Sequence, residues 1–131
     1  MATELTVKLP NRTGQLASVT GALGEAGVNI RSLAATTGGG QGTVHILVDD
    51  KDAARARRAL RGKKFRISGD RKIVEVRLAD KPGTLARVAG RLGKAKVNIE
   101  SAYMSAQGKR STSLALGVKD ARAANKALGR R

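Results

Sequence analysis

The chain repeats itself. Leu9-Pro10-Asn11-Arg12-Thr13-Gly14-Gln15-Leu16 leads through an amphipathic stretch to Gly27-Val28-Asn29-Ile30. Moving 69 positions on, Leu78-Ala79-Asp80-Lys81-Pro82-Gly83-Thr84-Leu85 leads to Val97-Asn98-Ile99 with no gap between. Gly14 falls on Gly83, Leu16 on Leu85, Leu23 on Leu92, Asn29 on Asn98 and Ser32 on Ser101. A match this long without an insertion marks a duplicated structural unit, which settles the organisation before any residue-level reading. Residues 1–69 are expected to form one domain and residues 70–131 another. Units that small bury little surface and are marginal alone, so the repeats should lean on each other, on a second copy of the chain, or on both.

Within each repeat the hydrophobic period changes in a fixed order. Residues 4–9 alternate, with Leu5, Val7 and Leu9 on one face and Glu4, Thr6 and Lys8 on a wet one, the period of a half-buried strand. Pro10 and the turn-rich run to Gly14 stop it. A helix follows with Leu16, Val19, Thr20, Leu23 and Ala26 inward, and Gly27 ends it by taking positive φ. Residues 28–33 read as the second strand, Thr37-Gly38-Gly39-Gly40-Gln41-Gly42 as a flexible turn, and residues 43–48 as the returning strand of a hairpin. Asp52 is expected to cap a helix whose inner stripe is Ala53, Ala56 and Leu60. Phe65-Arg66-Ile67 reads as a short fourth strand and Ser68-Gly69-Asp70 as the boundary between repeats.

The second repeat reads in the same order. It has a strand at 73–78, a helix with Leu85, Val88, Ala89 and Leu92 inward, strands at 97–103 and 112–116 around a turn near Gln107-Gly108, and a last helix capped by Asp120. Nothing in it matches Phe65-Arg66-Ile67. The fold class is therefore α+β: two ferredoxin-like βαββαβ units, each an antiparallel sheet with helices on one face, the second lacking a clear last strand. An open sheet edge tends to find a partner, so a homodimer is expected.

These residues resemble the ACT family of small-molecule-sensing domains, over nearly the whole chain and twice. The resemblance rests on Asp80-Lys81-Pro82-Gly83-Thr84-Leu85 with Val97-Asn98-Ile99, echoed by Asn11-Arg12-Thr13-Gly14-Gln15-Leu16 with Val28-Asn29-Ile30. The arrangement is similar to stand-alone tandem members without an enzyme domain, and the second repeat is similar to regulatory subunits of acetolactate synthase. What the resemblance implies is a regulator of amino-acid metabolism. Its ligand would be an amino acid held by the loop before the first helix and the start of the second strand, and its partner an enzyme of that metabolism. Asn11 matches a ligand-binding Asn of serine-sensing members, whereas Leu9 stands where those have His and Thr13 where the family motif has Pro.

The residues argue for the same site. A turn without bulky side chains at a helix N-terminus offers backbone N–H groups and the positive end of a dipole to a carboxylate. Gly14 and Gly83 let a ligand approach, and Asn11 or Asp80 with Asn29 or Asn98 offers acceptors to an ammonium group. The candidate ligand residues are therefore Asn11, Arg12, Thr13, Gly14, Gln15, Leu16, Asn29 and Ile30 in the first repeat. In the second they are Asp80, Pro82, Gly83, Thr84, Leu85, Asn98 and Ile99. Glycine before a helix and Asn after a helix-ending glycine are also common punctuation, and it is their joint recurrence that favours a ligand loop.

Other chemistries find little support. With no Cys and a single His, His45, there is no thiolate site and no metal-ligand spacing. No paired carboxylates or nucleophile with a base stands out, so neither an enzyme nor a cofactor is expected. No apolar run approaches membrane-spanning length and the start is not a signal segment, so a soluble cytoplasmic protein is the reading. The charge is the odd feature, +16 overall, of which +10 falls in residues 70–131. It attracts polyanions, which keeps a nucleic-acid-binding ferredoxin-like protein as the alternative. One Tyr, one Phe and no Trp leave almost nothing for bases to stack on. A subunit that binds only protein is the third reading. Arg87, Arg91 and Lys94 form a basic stripe on the second repeat's first helix, where the first repeat has Ser18, Ala22 and Glu25. It reads as a solvated face, or as a dock for an acidic enzyme surface or nucleic acid.

Overall fold

The first strand, β1 (Ala2–Pro10), alternates as its sequence requires, but both of its faces are buried. Leu5, Val7 and Leu9 join one apolar core. On the other face Glu4, Thr6 and the neighbouring Leu47 are buried as well, so the expected wet face is closed. Glu4 lies 3.6 Å from Arg71 Nε and 3.8 Å from His45 Nδ1, and Thr6 Oγ1 lies 3.0 Å from the same ring nitrogen. A carboxylate leaves water only beside cations and donors, and the local period of residues 4–9 could not reveal Arg71, which is far along the chain. The computed structural model describes residues 2–107 and 110–130, so the turn expected near Gln107-Gly108 runs outside the described residues at Gly108.

The elements that follow are α1 (Gln15–Glu25), β2 (Ser32–Gly38), β3 (Gln41–Asp49), α2 (Asp50–Gly62) and β4 (Arg66–Ala79). After them come α3 (Thr84–Lys94), β5 (Ile99–Gln107), β6 (Ser111–Val118) and α4 (Ala121–Ala127). They divide into two units, Ala2–Arg71 and Lys72–Arg131. In the first unit the strand order is β2-β3-β1-β4, with β1 antiparallel to β3 from Ala2↔Asp49 to Pro10↔Gln41. Val19 and Leu23 of α1, with Ala53, Ala56 and Leu60 of α2, cover one face of that sheet. In the second unit the order is β4-β6-β5, covered by Val88 and Leu92 of α3 and Ala124 of α4. Both are ferredoxin-like frames with helices on one face, and among the described residues no strand follows α4.

Several boundaries differ from the sequence reading, each for a tertiary reason. β2 starts at Ser32, not Val28, because Gly27 and the residues after it are spent on leaving α1. The glycine run is a two-residue turn: Gly39 and Gly40 take φ of 58° and 79°, the mirror-type turn that matches strand twist. Ser68-Gly69-Asp70, expected as the boundary between repeats, lies inside β4, one strand that runs on from the first unit into the second. A Cβ on Gly69 would sit 3.0 Å from Thr6 Oγ1, so glycine is what lets β4 close on β1. Asp70 is used by α2, accepting from Arg57 Nε at 2.6 Å and Nη2 at 3.0 Å. That hydrogen bond raises the Arg57 pKa, partly opposed by burial. Asp49, not Asp52, occupies the cap position of α2; Asp52 is in the first turn and buried against Arg55. Asp120 caps α4 as expected, accepting from the Ala123 N–H at 3.0 Å.

The four helices among the described residues stop in the same way. Gly27, Lys64, Lys96 and Gly129 have φ of 74°, 64°, 59° and 74°. The next residue donates back five positions: Val28 to Leu23, Phe65 to Leu60, Val97 to Leu92 and Arg130 to Asn125. Leu16, Leu85 and Ala89, expected inward, are exposed instead, whereas Ala22 is buried. On α1 and α3 the apolar side chains that reach the core are Val19 and Leu23, and Val88 and Leu92. No helix among the described residues is long and apolar enough to cross a membrane.

Lys96 carries a backbone conformation that glycine adopts freely. Lys96→Gly should therefore stabilise the chain by about 1 kcal/mol. Urea denaturation reads this directly, and an unchanged or lowered midpoint would contradict it.

Candidate functional site

The loop between β1 and α1 is held by its own backbone and by the tip of the hairpin. Asn11 N–H donates to Gly40 O at 3.1 Å, Arg12 N–H to Pro10 O at 2.9 Å and Gln15 N–H to Arg12 O at 3.4 Å. Gly14, with φ of 86°, turns the chain into α1 and gives no side-chain cap. The N–H groups of Thr13, Gly14, Leu16 and Ala17 have no backbone acceptor among the described residues, as a helix start leaves them.

Beside this loop is a cavity of about 180 Å³. Leu9, Pro10, Asn11, Arg12, Gln15 and Leu16 line it from β1, the loop and the first turn of α1. Ala35, Thr36 and Thr37 of β2 and Gly42 and Val44 of β3 form the rest. Registry brings these together: Leu9 pairs with Gly42, and Gly42 with Thr37, while Ala35 pairs with Val44. The structure thus gathers Asn11, Arg12, Gln15 and Leu16 of the residues singled out in the sequence. Thr13 and Gly14 shape the loop without lining the cavity. Asn29 is exposed and Ile30 packs against the core, so neither reaches it. The β2 and β3 residues were missed because the second strand was placed four residues early, which puts the wrong part of it beside the loop.

The second loop has the same backbone and different chemistry. Asp80 N–H donates to Arg110 O at 2.9 Å and Lys81 N–H to Ala79 O at 2.9 Å, and Gly83 has φ of 89°. Thr84, where the first repeat has Gln15, is buried, and its hydroxyl is shared between Ala79 O at 2.8 Å and Lys81 O at 3.0 Å. Asp80, Pro82, Gly83, Leu85 and Asn98 are exposed, and Ile99 packs on the core. Among the described residues no group of three or more His, Cys, Asp or Glu could hold a metal ion.

The family model of the ACT domain matches residues 3–63 and again residues 72–130. The chain belongs to the ACT domain family. Solved structures similar to this tandem ACT chain include a protein from Bacteroides thetaiotaomicron, 23% identical with a TM-score of 0.84, covering 97% of this chain and 85% of that one. The ligand-free regulatory subunit of aspartate kinase from Thermus thermophilus is 20% identical with a TM-score of 0.72, covering 98% and 90%. That of Thermus flavus gives the same figures, 20%, 0.72, 98% and 90%. These likenesses bear on the fold. The search of curated proteins returned no match.

Each ACT loop depends on a left-handed glycine with open space around it, since a Cβ at Gly14 or Gly83 meets nothing within 4 Å. Gly14→Ala and Gly83→Ala should each cost about 1 to 2 kcal/mol of stability from backbone strain alone. Chemical denaturation of both variants checks this; a loss confined to one loop would show that the two turns are not equivalent.

Proposed function

We propose that this tandem ACT protein binds a small amino acid at the loop of its first repeat and communicates the bound state to an enzyme of amino-acid metabolism. The observation that carries the reading is the cavity of about 180 Å³ beside Asn11, Arg12, Gln15 and Leu16. At roughly 30 Å³ per water it offers the space of about six waters, below the roughly 300 Å³ at which drug-sized pockets begin. Its walls suit an α-amino acid. The Arg12 guanidinium and the N–H groups opening α1 attract a carboxylate. The Asn11 and Gln15 amide oxygens accept from an ammonium group, and Leu9, Leu16 and Val44 offer a side chain an apolar wall. The first repeat is the binding one, because in the second Thr84 spends its hydroxyl on closing its own loop.

The role is regulatory rather than catalytic. The fold shared with a regulatory subunit of aspartate kinase supports this as an argument from architecture, and coupling between ligand and partner would be of the usual size, about 1 to 3 kcal/mol. The working form is a homodimer in the cytoplasm. Leu16 and Leu85, at the two equivalent ACT loops, and Met104 of β5 are each 45% exposed, and a second copy would cover such apolar side chains. Light scattering at micromolar concentration should give twice the 13.7 kDa chain mass; a persistent single-chain mass would exclude the dimer.

A thermal-shift screen against the proteinogenic amino acids tests the ligand. At about a hundred times its dissociation constant the right one adds roughly 2.7 kcal/mol. Asn11→Ala should abolish that shift and Asp80→Ala should keep it. The reverse pattern would move the site to the second repeat, and no shift with any amino acid would defeat the reading.

A further inference from the structure

The first helices of the two units differ where a fourth strand would face them. In the first unit Ala22 of α1 is buried, and it lines the same hollow as Phe65. Phe65 and Ile67, on the segment that enters β4, pack against the core. The unit thus fills this place with a length of its own extended chain. In the second unit the counterparts of Ser18 and Ala22 are Arg87 and Arg91, and no strand follows α4 among the described residues.

What remains there is a groove of about 630 Å³ running along residues 76–79 of β4. Val76, Leu78 and Leu128 give it an apolar floor, and Arg87, Arg91 and Arg130 border it. Arg130 is tethered, donating to the Glu75 carbonyl. Arg87 and Arg91 are exposed and have no side-chain hydrogen bond or ion pair among the described residues. They sit one turn apart on a helix without a single acidic residue, Lys94 continuing the row, and like charges at that spacing oppose each other. The stripe is exposed, as a solvated face is, and its Arg87 and Arg91 also border the groove.

We propose that this groove receives an extended acidic segment of a partner protein. One of its apolar side chains occupies the floor, as Phe65 does in the first unit, and its carboxylates meet Arg87 and Arg91. Extended segments dock on sheet edges through this combination of backbone and alternating side chains. The first unit supplies the template for shape, and the arginines supply the charge. A second copy of this chain does not fit, because its own equivalent segment, Lys63-Lys64-Phe65-Arg66, would bring three cations to the arginines. The inference does not depend on the amino-acid site, which lies in the other unit.

The test uses the intact chain and fluorescence polarisation with a labelled nine-residue peptide alternating Glu with Phe or Ile. Comparators are a peptide of the same composition with its apolar residues grouped at one end, and a single-stranded DNA of matched charge. The variant Arg87→Ala/Arg91→Ala is set against Arg58→Ala/Arg61→Ala, exposed positions of α2 that change net charge equally, with thermal melts to confirm folding. The alternating peptide should bind, and lose at least about tenfold in affinity in the α3 variant but less than about twofold in the α2 variant. The grouped peptide should bind at least about tenfold more weakly than the alternating one. Absence of binding, equal loss in both variants, equal binding of the grouped peptide, or DNA that outcompetes the alternating peptide would each overturn the proposal. So would a fall in oligomer mass in the α3 variant alone, which would make the groove a contact between copies.

Discussion

Each helix among the described residues is short, and two residues past its end a left-handed backbone turn reverses the chain. Gly27, Lys64, Lys96 and Gly129 hold that conformation at the four exits, and Gly14 and Gly83 hold it at two of the entrances. Where lysine stands, the backbone bears strain that the packing beneath it must offset. The apolar residue just beyond three of the turns, Val28, Phe65 and Val97, then drops onto the core of its unit. Helix exit and strand entry are thus fixed together by the same few residues.

On this common frame the two ACT repeats have diverged by single side chains. In the first, Gln15 lines a small cavity and Ala22 is covered; in the second, Thr84 ties the loop shut, and Arg91 stands in the open beside a groove. The uneven charge follows the same division, since the cations of the second repeat that border the groove have no counterparts in the first. Duplication followed by such specialisation would give one chain a small-molecule input and a protein-facing output.

Much of the fold was legible in residue order. The 69-residue echo, the period-two runs at Leu5-Val7-Leu9 and Val44-Ile46-Val48, the stripe Ala53-Ala56-Leu60, and the caps at Gly27 and Asp120 are all where the periodicity put them. Half of the candidate site was legible too, because Asn11, Arg12, Gln15 and Leu16 are contiguous or nearly so. Leu16 and Leu85 misled, since an apolar residue in helical phase reads as core whether or not the sheet extends beneath it.

The sequence by itself determined that there are two like units, that each alternates strand and helix in the ferredoxin-like order, and where the chain turns. These depend on local rules: period, cap and φ preference act over a few residues. Only the tertiary structure decided that Glu4 and Thr6 are buried, that Ser68-Gly69-Asp70 runs on as strand, and that Ala35, Thr37 and Gly42 share a cavity with Asn11. Each of those depends on a partner far along the chain, Arg71 and His45 for Glu4, Thr6 for Gly69, strand registry for the cavity. Burial of a charge and the register of a sheet are set by long-range pairing, which leaves no periodic trace in the residues that undergo it.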